Sequence, residues 1–392
     1  MKTIITAAAC MTVAFGTHAQ SSVTLFGNLD IAGTVSKSGS GTTLPGGGVS
    51  APSLTTHKLD SGIGPGSRFG LRGKEDLGGG LAANFWMEGG FAVDTGVQQQ
   101  GGLLFGRQVF VGLQGASWQV TAGRQYTPVD IAFGTSDIAY GFFWGNPVAA
   151  SGHGLYGQLG EAPGGGFFTG TSRQDNSLMV TGYFGPLTAR MMAAAGNENG
   201  RGTGKFYNPS LMYASGPLKI NASIARFRQG AGSITATAQP EWLSEAVVGG
   251  SYAFGPFTLS GGLFQFDGPK NTANRSAAAT VGNAAASPFA FSWTKTRTAF
   301  IGIEIPMFGG RLQLSVSRQQ YKYANASDSR STTFGSLYEY PLSKRTSLYT
   351  SYGQISNDAR SRTPLIATIT AVSPNGFGSD PRALSVGIRH QF

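Results

Sequence analysis

Beyond Cys10 the chain has no cysteine, and Cys10 lies in a leader-like segment. The remaining sequence can therefore form no disulfide, no thiolate metal site and no thiol nucleophile. Charge is also scarce. Asp, Glu, Lys and Arg make up 12% of the 392 residues, against about a quarter in ordinary soluble domains. No window reaches the roughly 18 uninterrupted apolar residues that a membrane helix needs. Were the chain to enter a membrane, only a closed barrel would remain, because lipid offers no partner to an unpaired backbone group. Low charge with abundant glycine would also suit a disordered low-complexity chain, but the regular alternation described below argues against that.

What is present is glycine, 60 residues, and aromatics, 11%. This points to many short strands and tight turns. Residues 1–19 read as a secretory signal: Lys2 is the positive region, Ile4 to Phe15 the apolar stretch, and Thr17-His18-Ala19 the small-residue cleavage site. The mature chain is placed at 20–392, starting at Gln20. Ala7-Ala8-Ala9-Cys10 faintly resembles a lipoprotein cleavage box, but cleavage there would leave too short an apolar core.

The end of the chain carries the clearest pattern. Leu384, Val386, Ile388 and Phe392 alternate with Ser385, Gly387, Arg389 and Gln391. Side chains on a strand alternate faces, so this strand has one greasy and one wet face. A terminal Phe suits the aromatic girdle of a lipid-facing barrel. Similar alternation runs through 247–254, 312–320 and 348–353. Short turns are signalled at 78–80, 115–116, 185–186, 216–217, 255–256, 309–310 and 343–344, mostly by glycine and proline. Longer polar stretches fall at 37–66, 94–103, 127–172, 197–204, 229–243, 268–293, 324–330 and 356–381. Seven turns and eight loops imply sixteen antiparallel strands, an all-β barrel with turns at one end and long loops at the other. Such a barrel encloses a lumen rather than a packed core. Around Arg107 and Arg124 the arginine shares parity with apolar residues, which implies a bulge or a different register.

These segments resemble the Gram-negative outer-membrane trimeric porins. The likeness lies in Ser22 to Asp30 (SVTLFGNLD), Ser67 to Leu81 (SRFGLRGKEDLGGGL), Phe105 to Leu113, Thr121 to Pro128 and Val386 to Phe392. The resemblance implies a sixteen-stranded transmembrane barrel, a homotrimer, and a third loop folded inward to narrow the pore. Here that loop is 127–172, rich in aromatics (Phe133, Tyr140, Phe142, Phe143, Trp144, Phe167, Phe168) with Asp130, Asp137 and Glu161 as its acids. In the anion-preferring branch arginines line the constriction. They match Arg68, Arg107 and Arg173 here, and the acid of the third strand matches Glu88. Arg72 and Lys74 share the face of Arg68, opposite Phe69 and Leu71, so they point into water, and Arg124 joins the candidate set. A guanidinium stays charged and offers several donors, so such a ring favours anions. Some of these arginines could instead bind lipopolysaccharide phosphates at the rim or pair with acids. The terminal Phe392 corresponds to the family's assembly signal.

The reading is a passive channel for small anionic solutes, in contact with outer-membrane lipid and lipopolysaccharide. A substrate-selective porin with a site for one anion is the alternative. Without Lys2 there are 28 Lys and Arg against 19 Asp and Glu, a charge of +9, but the cations sit singly, with no nucleic-acid-binding module. An outer-membrane barrel enzyme is disfavoured. His57, His153 and His390 lie in no catalytic string, with the first two assigned to loops. Gly200 to Lys205 misses the phosphate-loop spacing and lacks its Ser or Thr. No cofactor or metal is expected. An energised transporter would need a plug domain and about 22 strands.

Overall fold

The computed structural model describes residues 22–44, 46–138, 143–146, 172–196, 204–228, 241–268, 270, 293–323, 327–368 and 370–392. The proposed signal segment lies outside them, as do Tyr140, Phe142, His153, Glu161, Phe167 and Phe168. Sixteen antiparallel strands close on themselves. The first, Ser22–Lys37, pairs with the last, Arg382–Gln391, from Asn28 opposite Gln391 to Lys37 opposite Arg382. Between them run Leu81–Gly90, Gln108–Gln114, Trp118–Tyr126, Arg173–Phe184, Leu187–Ala194, Phe206–Ser215 and Leu218–Arg228 as the third to ninth strands. Trp242–Ala253, Thr258–Asp267, Trp293–Met307, Gly310–Tyr323, Ser329–Pro341 and Thr346–Asn357 are the tenth to fifteenth. The seven turns are tight. Phe184 pairs with Leu187 across Gly185-Pro186, and Ser215 with Leu218 across Gly216-Pro217.

The second strand departs from the sequence expectation. It begins at Thr55, inside the stretch read as loop, and comes in two pieces, Thr55–Ser61 and Arg68–Gly78. Both pair with the first strand. Residues 62–67 between them leave the wall, carrying Ile63 to a fully buried position. His57 therefore stands on a strand, not in a loop. Its surroundings hid it: Thr55 to Lys58 is polar on both faces, and Leu59 alone makes no alternation.

The burial is inverted relative to a water-soluble domain. On the thirteenth strand Ser315 and Ser317 are 2% exposed while Val316 is 44% exposed. Val386 and Ile388 are likewise exposed and Ser385 is buried. On these strands apolar side chains thus face outward, and small or polar ones face the lumen. This is the pattern of a sheet whose outer surface meets lipid.

Two apolar clusters fill part of the lumen, and both involve loops. The helix Pro128–Ser136 opens the third loop. Thr127 caps it, its side chain accepting from the Asp130 amide, and Pro128 occupies the first turn, where its missing N–H costs nothing. The helix lies on the inner wall of the seventh to eleventh strands. Phe133 packs there against Phe264 and Phe300 at 5.0 and 6.4 Å between centroids. Asn208 accepts from the Val129 amide at 2.8 Å, and Asn221 donates to Ser136 Oγ at 2.6 Å. Farther along, Phe143 and Trp144 are fully buried at the wall of the fourteenth to sixteenth strands. There the eighth loop also turns inward. Its Leu365, Ala367 and Val372 join Phe143, Trp144, Leu337 and Ile355 in one buried cluster.

Candidate functional site

Four arginines converge on the wall next to the root of the third loop. Arg68 stands at the point where the second strand re-enters the sheet after residue 67. Arg107 precedes the fourth strand, its amide held by the carbonyl of Glu88 at 3.1 Å. It is therefore not bound by strand parity, which resolves the conflict in the sequence. The conflict at Arg124 has the other cause. Pairing with the sixth strand shifts register between Gly123 and Gln125, and Gly123 has φ +138°. This bulge turns Arg124 inward. Arg173 begins the sixth strand.

Glu88, 3% exposed on the third strand, organises the first two. It accepts a short hydrogen bond from Arg107 Nε, bonds from Trp86 Nε1 at 2.9 Å and Gln108 Nε2 at 3.4 Å, and lies 3.6 Å from Arg68 Nε. Tyr126, the last residue of the fifth strand, joins the other pair. Its hydroxyl accepts from Arg107 Nη2 at 2.6 Å and from Arg173 Nη2 at 2.5 Å, and its ring lies 4.3 Å beneath the Arg173 guanidinium. Arg124 pairs with Asp175 and donates through Nε to the Gly106 carbonyl at 2.8 Å. Arg173 Nε and Arg124 Nη2 donate to no described residue. Of the cluster, Arg68 is the most open, its side chain 28% exposed against 8% for Arg107 and 7% for Arg124.

The sequence candidates are thus brought together only in part. Arg68, Glu88, Arg107, Arg173 and Arg124 form one constellation. Arg72 lies a level nearer the short turns, over the rings of Phe26 and Trp86 at 5.5 and 5.4 Å, and touches the cluster only through Trp86. Lys74 is two residues farther along and exposed. Sequence reading missed Tyr126 and Asp175. A tyrosine at a strand end looks like an interfacial aromatic, and a lone acid after the third loop carries no motif. Asp130, buried in the first helical turn, is felt electrostatically by Arg107. Four guanidiniums thus face three carboxylates, Glu88, Asp175 and Asp130. Among the described residues no group of His, Cys, Asp and Glu could hold a metal ion.

A second polar network lies in the adjoining sector. Arg389 bridges Asp30 at 3.2 Å and Glu339 at 2.9 Å, and Arg311 bridges Glu339 at 2.6 Å and Glu304 at 3.4 Å. Here carboxylates outnumber guanidiniums. At the seam Phe392 pairs with Gly27 through both backbone groups, at 3.0 and 3.1 Å. Its ring covers Gly27 so closely that an added Cβ would lie 2.2 Å from it.

Comparison with known proteins places this geometry. A family model described as Gram-negative porin matches residues 6–360. Outer membrane porin protein 32 of Delftia acidovorans is 29% identical over 400 residues, covering 100% of both chains. An outer membrane porin protein of Bordetella pertussis is 29% identical over 360 residues, covering 85% of this chain and 84% of that one. Among solved structures, an anion-selective porin from Comamonas acidovorans superposes with a TM-score of 0.74 at 26% identity, over 95% of this chain and 100% of that one.

Proposed function

The chain belongs to the Gram-negative porin family, and on that premise we propose that the arginine cluster at the root of the third loop gives this outer-membrane diffusion channel its preference for anions. It is a channel and not an enzyme. The observation that carries the assignment is the convergence of Arg68, Arg107, Arg124 and Arg173 on one stretch of wall, held by Glu88 and Tyr126, with Arg124 Nη2 and Arg173 Nε meeting no described residue. The porin of similar fold from Comamonas acidovorans is named as anion-selective, which is in line with this reading.

Each side chain has a part in it. Arg68 is the contact group, since it is the most open to the lumen. Glu88 and Tyr126 position Arg68, Arg107 and Arg173 against their mutual repulsion, so their charge is fixed before an anion arrives. Preorganised donors spend nothing on rearrangement, and in a narrow passage little water screens them. Arg72 and Lys74 continue the positive path toward the short-turn side, which is periplasmic in such barrels. The helix with Asp130 lies on the neighbouring wall and bounds the passage beside the arginines. The mature chain is 20–392 after loss of a signal at 1–19. It assembles as a homotrimer in contact with outer-membrane lipid and lipopolysaccharide, and Phe392 serves as the assembly signal. Zero-current potentials across a KCl gradient test the selectivity: the wild-type channel should favour chloride, and a cation-selective channel would overturn the assignment.

A further inference from the structure

A second set of arginines faces away from the lumen. On the eleventh to fourteenth strands the outward residues are apolar for most of the wall and then change within one step. Leu263 gives way to Gln265, Ala299 to Arg297, Val316 to Arg318, and Phe334 to Thr332. Strand pairing sets Gln265, Arg297, Gln320 and Arg330 in one row across the four strands, and Ala299, Arg318 and Thr332 in the row beneath. These rows lie toward the long loops, which face outward from the cell in such barrels. Directly below is a surface groove of about 450 Å³ lined by Val248, Leu263 and Ala299, with Arg297, Arg318 and Gln320 along its edge.

A cation on the lipid face is disfavoured at mid-depth and tolerated only near the interface, so two adjacent ones call for an anion. Among the described residues the protein supplies none. Arg297 donates through Nε to Gln265 Oε1 at 3.1 Å, and Arg318 through Nη1 to Thr332 Oγ1 at 3.3 Å. The nearby Asp267 is held by Lys295 at 2.8 Å. Arg226, another outward cation, is by contrast covered by the Trp242 ring at 5.7 Å. Guanidiniums at the upper edge of an apolar groove complement a phosphorylated lipid: phosphate oxygens take the paired N–H donors while an acyl chain fills the groove. We propose that this surface is a binding site for the phosphorylated lipid A portion of lipopolysaccharide in the outer leaflet. The inference rests on the outer-membrane placement of the channel and gives that contact an address.

The test uses the full-length mature channel in mild detergent and the double variant Arg297→Gln/Arg318→Gln. Each is incubated with bisphosphorylated lipid A, with the same lipid dephosphorylated, and with inorganic phosphate, and bound molecules are counted by native mass spectrometry. Wild type should retain the phosphorylated lipid, and the variant should bind it at least about tenfold more weakly. Both should keep the same zero-current potential, because these arginines face outward. Equal retention by the variant would overturn the site, as would equal wild-type binding of the dephosphorylated lipid or of phosphate alone. If the variant fails to fold, the phosphate dependence of wild type decides. Membrane fractionation of wild-type cells keeps the premise separate: loss from the outer membrane would remove the placement, whereas normal fractionation with no lipid preference removes only the site.

Discussion

Within the cluster, Glu88 accepts from Arg107 and Trp86 and neutralises part of the charge of Arg68. Its position makes opposite substitutions informative. Glu88→Gln keeps an acceptor but removes the negative charge, so the zero-current potential should move further to the anion side. Arg68→Ser should move it toward cations, and by more than the loop substitution Lys270→Ser. Arg107→Ser should do so as well but at a structural cost, since breaking a buried pair costs about 3–5 kcal/mol. The oligomer should then dissociate at a lower temperature on a heated gel, which Arg68→Ser, more exposed, should not cause. An anion preference unchanged in both Glu88→Gln and Arg68→Ser would remove the cluster from the permeation path. Arg68, Arg107 and Glu88 were legible through the resemblance of their segments to known porin strands, not from alternation or spacing. The link through Tyr126 was not. It depends on the fourth strand beginning only after residue 107 and on the bulge at Gly123, and neither follows from alternation.

At the level of elements, the turns were legible because glycine and proline there meet fixed backbone demands, as at Gly185-Pro186 and Gly216-Pro217. The eighth loop was not. Leu365, Ile366 and Val372 are short apolar pairs between polar residues, and nothing local says that they pack inward on the third loop. Their partner is Trp144, whose amide donates to Ser351 Oγ at 3.1 Å and whose indole donates to Ser385 Oγ at 2.8 Å. Gly335 makes room for it, since a Cβ there would lie 2.2 Å from the Trp144 carbonyl oxygen. Trp144 thus pins the far limb of the third loop while the helix Pro128–Ser136 pins the near limb. Trp144→Ala should empty a buried site worth about 3–5 kcal/mol and free that limb. Single-channel recordings should show larger or more fluctuating currents with little change in anion preference, because the arginines are untouched. Recordings identical to wild type would mean that the loop is held without Trp144.

For the whole molecule, closure and field are the two collective properties. Closure depends on the last strand meeting the first, and Phe392 supplies both backbone bonds to Gly27 and the ring over it. Deleting Phe392 should lower the amount of heat-modifiable protein in the outer membrane well below that of a loop deletion at Lys270. The field has several sources: the mature chain as a whole at +9, 28 Lys and Arg against 19 Asp and Glu, the arginine cluster, and the acid-rich network of Asp30, Glu304 and Glu339 beside it. How they add depends on screening, whose length is roughly 30 Å at 0.01 M salt and about 3 Å at 1 M. In dilute KCl an anion entering the lumen senses all three, and in concentrated KCl only groups it nearly touches. Anion preference should therefore fall steeply with salt at fixed gradient ratio. Glu339→Gln should raise it in dilute salt while leaving the 1 M value unchanged, since that carboxylate acts only at a distance. A preference that survives intact at 1 M would instead mean direct coordination of the anion by the guanidiniums. In that case the effect of Arg68→Ser should persist at every salt concentration, while the effect of Glu339→Gln should be absent throughout.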